Sequence, residues 1–143
     1  MNFRSAEEKD LSELDNLLMR LVEDEKINYD KYLEHGIINN HYERILKMNC
    51  CQIFVCEINN RVVGYIYCEA FHKNKGVIVN LFVEKKYRGL KIGTTLMRLA
   101  TNWLKERGVK IIEVNVLANN TSAKKLYNSF GFDDFKETLR VEV

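Results

Sequence analysis

Residues 75–83 read KGVIVNLFV, and no other stretch restricts the fold so strongly. The run is apolar at nearly every position, which implies a strand covered on both faces. A charged turn containing Gly89 follows, then Gly93 and an amphipathic helix from about Leu90 to Arg107. Ile92, Leu96, Ala100, Trp103 and Leu104 form one stripe on that helix, and Gly108 ends it. A second apolar run, VKIIEVNVL, occupies 109–117. Strand, helix and strand in this order make a βαβ unit over 75–117, hence a parallel pair joined by a right-handed crossover.

The flanking segments predict an antiparallel addition to that unit. NFRSA at 2–6 reads as a short first strand, with Ser5 a candidate helix cap and EEKD supplying early acids. Leu11, Leu14, Leu17, Leu18, Leu21 and Val22 predict a helix of about three turns. EDEKINYDKYLEHG predicts a loop and a second helix broken near Gly36, and Ile38, Tyr42, Ile45 and Leu46 predict a further helical piece. QIFVCEINNRVVGYIYCEAF reads as two strands turned at Asn59-Asn60, because Asn tolerates positive φ. NNTSAKKLYNSFGF predicts a helix with Ala123, Leu126, Tyr127 and Phe130 inward, and KETLRVEV at 136–143 predicts a terminal strand. The class is mixed α/β.

Composition narrows the function. A chain of 143 residues suits one domain spanning 1–143. A net charge of +2, with lysines scattered, gives no reason to expect a nucleic-acid partner. No apolar run reaches the roughly 18 residues that span a membrane, and MNFRSAEEKDLSEL has no apolar signal core. A cytoplasmic location is expected. Cys50, Cys51, Cys56 and Cys68 match no zinc spacing, and His35, His41 and His72 form no cluster with them, so reduced thiols and no metal are expected.

The handover at 88–94 carries the chemistry. The first N–H groups of a helix lack internal partners and, with the helix dipole, favour an anion. Gly89 and Gly93 would let the backbone approach a phosphate closely, and Arg88 adds a planar charged donor. An ordinary glycine-containing turn between strand and helix has the same composition.

Two signatures together resemble one family. NLFVEKKYRGLKIGTTLM is similar to the acetyl-CoA signature of the GCN5-related N-acetyltransferases (GNAT), whose core is Arg/Gln-x-x-Gly-x-Gly/Ala. Here the core is Arg88, Gly89, Leu90, Lys91, Ile92 and Gly93, with Lys91 at a family glycine. Downstream, Asn120, Ala123, Leu126, Tyr127, Gly131 and Phe132 match the family's second signature in order and spacing.

The resemblance implies a central mixed sheet of about six or seven strands flanked by helices. It implies that acetyl-CoA pairs through its pantetheine arm with Leu81, Phe82 and Val83. Residues 88–93, with Thr94 nearby, would hold the pyrophosphate, provided that Lys91 keeps a negative φ. Asn120 would bond the cofactor arm or simply cap a helix. Tyr127 would protonate the departing thiolate, and a backbone N–H freed by a bulge near Val83 would meet the oxyanion. Where the family often places an acid, this chain has Asn80, which can only orient a water, so Glu69 and Glu113 are candidates for a water-relayed base. The segment 24–42, with Asp24, Glu25, Tyr29, Tyr32, Glu34 and His35, would shape the site for a small-molecule or peptide amine. Tyr29, Tyr32 and Glu34 are the candidate substrate contacts. A non-catalytic acyl-CoA sensor with the same fold is the alternative. The short tail after Phe132 completes the sheet in another way or pairs with a second copy as a homodimer.

Overall fold

The computed structural model describes residues 1–143. Five strands form one sheet in the order β1 (Asn2–Ser5), β2 (Cys51–Ile58), β3 (Arg61–His72), β4 (Lys75–Val83) and β5 (Ile111–Val114). The first four are antiparallel neighbours, and β4 pairs in parallel with β5. Helices α1 (Leu11–Asn28), α2 (Ile92–Glu106) and α3 (Thr121–Ser129) flank the sheet. The βαβ unit is present as expected, and Asn59 and Asn60 both take positive φ at the β2–β3 turn.

Each face of the sheet has its own core. Leu14, Leu17 and Leu18 of α1 pack with Tyr42, Ile53, Val55, Tyr65 and Phe82 on one face. Ile92, Leu96, Met97, Ala100 and Leu104 of α2 pack with Ile66, Cys68, Ile78 and Tyr127 on the other. Trp103 is only half-buried, with the Arg107 guanidinium 4.5 Å above its ring. All four cysteines are free thiols, and burial pushes Cys68 up to about 12.

Helix α1 runs 18 residues, well beyond three turns. Its apolar stripe fades after Val22, but Glu23, Glu25 and Lys26 are good helix formers and sustain the helix without one. Its start is tied to the sheet edge. Arg4 donates to both oxygens of buried Asp10 at 2.7 and 2.9 Å and to Glu57 at 2.8 Å.

Three expectations fail. No second helix forms between α1 and β2, apart from a short 3-10 turn at Ile45–Lys47. Backbone N–H groups of Asn40 and His41 instead donate to the Asp15 carboxylate at 2.7 and 3.1 Å, and Asn40 takes a positive φ. A side-chain acceptor of this kind competes directly with helical bonding. The terminal strand is also absent: 136–143 is irregular, and the sheet has five strands rather than six or seven. Arg140 forms a double ion-paired hydrogen bond to Asp30 at 2.7 and 3.0 Å, which holds the tail beside the end of α1 rather than along β5. Leu139 and Val141 stay exposed, and the outer edge of β5 is unpaired. Finally, β5 is four residues long rather than nine.

Candidate functional site

The sheet splits at one place. Strands β4 and β5 pair from Lys75–Ile111 to Ile78–Val114 and no further. Strand β4 continues to Val83, paired only with β3. Opposite β3, Tyr67 faces Asn80 and Cys68 faces Ile78, so Val79 is the extra residue of a bulge. A bulge sharpens local twist and redirects the strand beyond it. This one lies four residues earlier than the position expected near Val83. Past Ile78 the β4 edge that carries Leu81, Phe82 and Val83 is open for an extended chain to pair.

The glycine turn lies directly beyond. Gly89 has φ of 83°, and Lys91 has φ of 63° and ψ of 22° immediately before α2. The condition of a negative φ at Lys91 is therefore not met. The turn keeps the left-handed conformation that suits glycine, at a cost of roughly 1–2 kcal/mol for a side chain. Lys91 and Leu90 project into solvent, whereas Ile92 is buried in the α2 core and offers only its backbone outward. No side chain caps α2, and its first turn holds no acid. The leading N–H groups, including those of Gly93 and half-buried Thr94, point past the helix end.

The glycines of the chain are used differently. A Cβ on Gly76 would meet Leu104 at 2.7 Å, and one on Gly64 would meet the Phe82 carbonyl at 3.1 Å. On Gly93 it would touch only Leu126, at 3.6 Å, an ordinary contact. Nothing inside the protein demands a glycine at 93.

Arg88 is already engaged. Its Nε donates to the Val83 carbonyl at 2.9 Å, its guanidinium lies 5.4 Å above the Phe82 ring, and Asp24 sits 3.8 Å away. It braces the end of β4 against the turn while its side chain stays exposed.

Helix α3 brings the second signature to the same end of the sheet. Asn120 caps it, with Oδ1 accepting from the Ala123 N–H at 3.1 Å, which leaves the side-chain NH2 free to donate. Tyr127 is buried against Phe132, with ring centroids 6.1 Å apart. Its hydroxyl has no hydrogen-bond partner in the chain, yet no polar side-chain atom is sealed without one. The hydroxyl therefore reaches open space. Burial, helped by the charge of Glu25, pushes this phenol up to about 12, so it stays protonated at neutral pH.

On the α1 face of β3 and β4 lie two polar groups of which sequence reasoning singled out only Asn80 and Glu69. Tyr42 donates to the Asn80 Oδ1 at 2.7 Å. Having spent its one proton, it accepts from Tyr65 at 2.8 Å. Tyr67 donates to Glu69 at 2.6 Å. Burial raises all three phenols, so they act as fixed dipoles rather than titrating groups. The signal was present in GYIYCEAF: Tyr65, Tyr67 and Glu69 alternate, and period two puts them on one face.

The remaining candidates are scattered. Glu113 is held by Lys75 at 3.0 Å. The Tyr29 N–H closes α1 by donating to the Glu25 carbonyl at 2.9 Å. Tyr32 is exposed beneath Lys31, and Glu34 is exposed on irregular backbone. No hydrogen bond or ion pair joins these three. No three His, Cys, Asp or Glu side chains gather as metal ligands, and no helix is long and apolar enough to cross a membrane. A cavity of about 310 Å³ opens at the other end of β5, lined by Thr101, Lys105, Ile111 and Phe130, away from the split.

Comparison with known proteins gives one consistent result. The acetyltransferase (GNAT) family model matches residues 13–132. An uncharacterized N-acetyltransferase of Archaeoglobus fulgidus is 30% identical over 136 residues, covering 90% of each chain. One from Methanocaldococcus jannaschii is 30% identical over 106 residues, which are 70% of this chain but only 46% of that protein's length. The crystal structure of a predicted acetyltransferase with acetyl-CoA from Clostridium acetobutylicum superimposes with a TM-score of 0.75 at 26% identity, covering 99% of this chain and 95% of that one.

Proposed function

The chain belongs to the acetyltransferase (GNAT) family, and from that premise we propose that it moves an acetyl group from acetyl-CoA to an amine. One observation carries this reading. The split between β4 and β5, the uncapped start of α2 and the free hydroxyl of Tyr127 all meet at one end of the sheet. The pantetheine arm of acetyl-CoA pairs with the open edge at Leu81, Phe82 and Val83. The backbone of 88–94 holds its pyrophosphate, with the side chains of Arg88 and Lys91 adding positive charge. Asn120 donates to the arm through its free NH2.

The amine attacks the thioester directly while both substrates are bound. An alkylammonium has a pKa of about 10 and must lose a proton first. Tyr127 faces the sulfur. A phenol at about 12 gives up its proton reluctantly to a thiolate of ordinary pKa about 8.5. Its first contribution is thus a hydrogen bond that strengthens as charge develops on sulfur. Of the groups expected to relay the amine proton, Glu113 is ion-paired and Asn80 is no base. Glu69 has its carboxylate engaged by the Tyr67 hydroxyl.

Thermal unfolding with and without acetyl-CoA tests the reading. At 100 times its Kd the ligand adds about 2.7 kcal/mol of stability. No shift at millimolar acetyl-CoA overturns it. A second reading, an acyl-CoA sensor without turnover, is favoured by Asn80, whose carbonyl is committed to Tyr42. Thiol release across a panel of small-molecule and peptide amines separates the two. The open β5 edge and the exposed Leu139 and Val141 support pairing between two copies, which the solution mass would show.

A further inference from the structure

We propose that Glu25 on α1 receives the acceptor amine, its carboxylate binding the ammonium and taking its proton before attack on the thioester. The inference rests on the acetyl-transfer reading above and names a group that sequence patterns left undistinguished among the acids of 24–42.

Three placements converge on this residue. Leu14, Leu18, Leu21 and Glu25 follow one another at spacings of four, three and four, so Glu25 extends the sheet-facing stripe of α1. It is half-buried there, as Asp24 and Asp30 are, whereas Glu23 and Glu34 are exposed. The last turns of α1 lie beside the exit of β4. Arg20 binds Glu84 at 2.6 Å, and Asp24 lies 3.8 Å from Arg88. Glu25 therefore borders the end of β4 where the sheet has split. Its charge also reaches both Tyr65 on β3 and Tyr127 on α3, adding to burial in raising each phenol.

Its bonding sets it apart from the other partly buried acids. Glu69 is taken by Tyr67, Glu113 by Lys75, Glu84 by Arg20, and Asp30 by Arg140. Asp24 accepts from Asn28 at 3.0 Å. The side chain of Glu25 has no hydrogen bond or ion pair. Burial, and then the charges of Asp24 and Asp30, raise its carboxyl above the ordinary value. A half-buried carboxylate among other acids is relieved by a cation, and an ammonium provides one. A raised carboxyl also narrows the gap to the amine, which makes it a better base.

The balance of the step is simple. One proton passes from the ammonium to Glu25 and later to solvent. The nitrogen lone pair forms the C–N bond as the C–S bond breaks, and the second amine proton ends on the coenzyme thiol.

The test does not require knowing the acceptor. S-(3-aminopropyl)-CoA places an ammonium where the incoming amine would sit, and S-propyl-CoA is its neutral counterpart. The native protein is expected to bind the amino compound at least about tenfold more tightly, ~1.4 kcal/mol. In Glu25→Gln the two affinities should come within about twofold, with S-propyl-CoA binding as before. Equal affinities in the native protein, or a preference that survives Glu25→Gln, overturn the assignment while leaving acetyl-CoA binding intact. If neither compound binds the native protein, the acetyl-transfer reading fails and this inference falls with it.

Discussion

The two faces of the sheet are built from different materials. The α2 face is an apolar core of Ile, Leu, Met and Ala, closed by Tyr127. The α1 face carries two hydrogen-bonded groups beneath the leucines of α1, Tyr65–Tyr42–Asn80 and Tyr67–Glu69. An apolar face gains stability from volume and contact, so it tolerates no holes. A buried polar face gains direction, because each hydroxyl must point at a partner, and it suffers when one link is cut. On the proposed acetyl-transfer reading, the split past Ile78 would join a dry surface suited to a thioester with a polar one suited to an amine.

Emptying the apolar face should have the largest effect. Leu96→Ala, at a fully buried position, is expected to cost about 2–5 kcal/mol in denaturant unfolding. A loss below about 1 kcal/mol would show that this face is looser than its packing implies.

Tyr127→Phe tests the boundary between the faces. Turnover is expected to fall by about 10²-fold, with the thermal shift by acetyl-CoA retained. If turnover is unchanged, Tyr127 merely completes the apolar core.

Tyr42→Phe cuts the polar face at its centre. It leaves the Asn80 oxygen and the Tyr65 hydroxyl without their partner, at a cost of about 1–3 kcal/mol. A neutral result would mean that water replaces the missing hydroxyl.

Lys91→Gly addresses the turn that joins the faces. Relieving a left-handed side chain should raise stability by up to about 1 kcal/mol, since glycine's larger unfolded-state freedom offsets part of the gain. A loss would show that the lysine side chain makes its own contribution.

The smallest effect is on acid sensitivity. Burial alone would raise Asp10, but hydrogen bonds from Arg4 and from the Glu7 N–H outweigh it and hold the carboxyl below its usual 3.8. A depressed carboxyl stabilises above its unfolded pKa, and that stability is lost as pH falls through the folded value. Asp10→Asn should therefore flatten the loss of stability below about pH 4. An unchanged acid limb would mean that other carboxylates dominate.

Local pattern made much of this legible. The βαβ unit was readable because a near-continuous apolar run gives way to a 3.6-residue period over 75–107, and because glycines mark the handover at Gly89 and the helix end at Gly108. The Asn59-Asn60 turn was readable because few residues accept positive φ. The helices expected over 24–46 were not legible as irregular backbone, because Asp15 on α1 supplies an acceptor from 25 residues away. The terminal strand failed for a similar reason. Leu139, Val141 and Val143 alternate as a strand would, yet the Arg140–Asp30 pair bridges 110 residues and carries the tail elsewhere. Lys91 was signalled only by its place at a family glycine, because its own sequence neighbours allow either sign of φ.

By itself the sequence determined the parallel unit, the glycine turn, and the two motifs that identify the family, since each is written in neighbouring residues. Tertiary structure alone decided where the sheet splits, which acids are paired, and that Glu25 is left over. Whether a carboxylate is engaged depends on groups far away along the chain, and no local pattern encodes that distance.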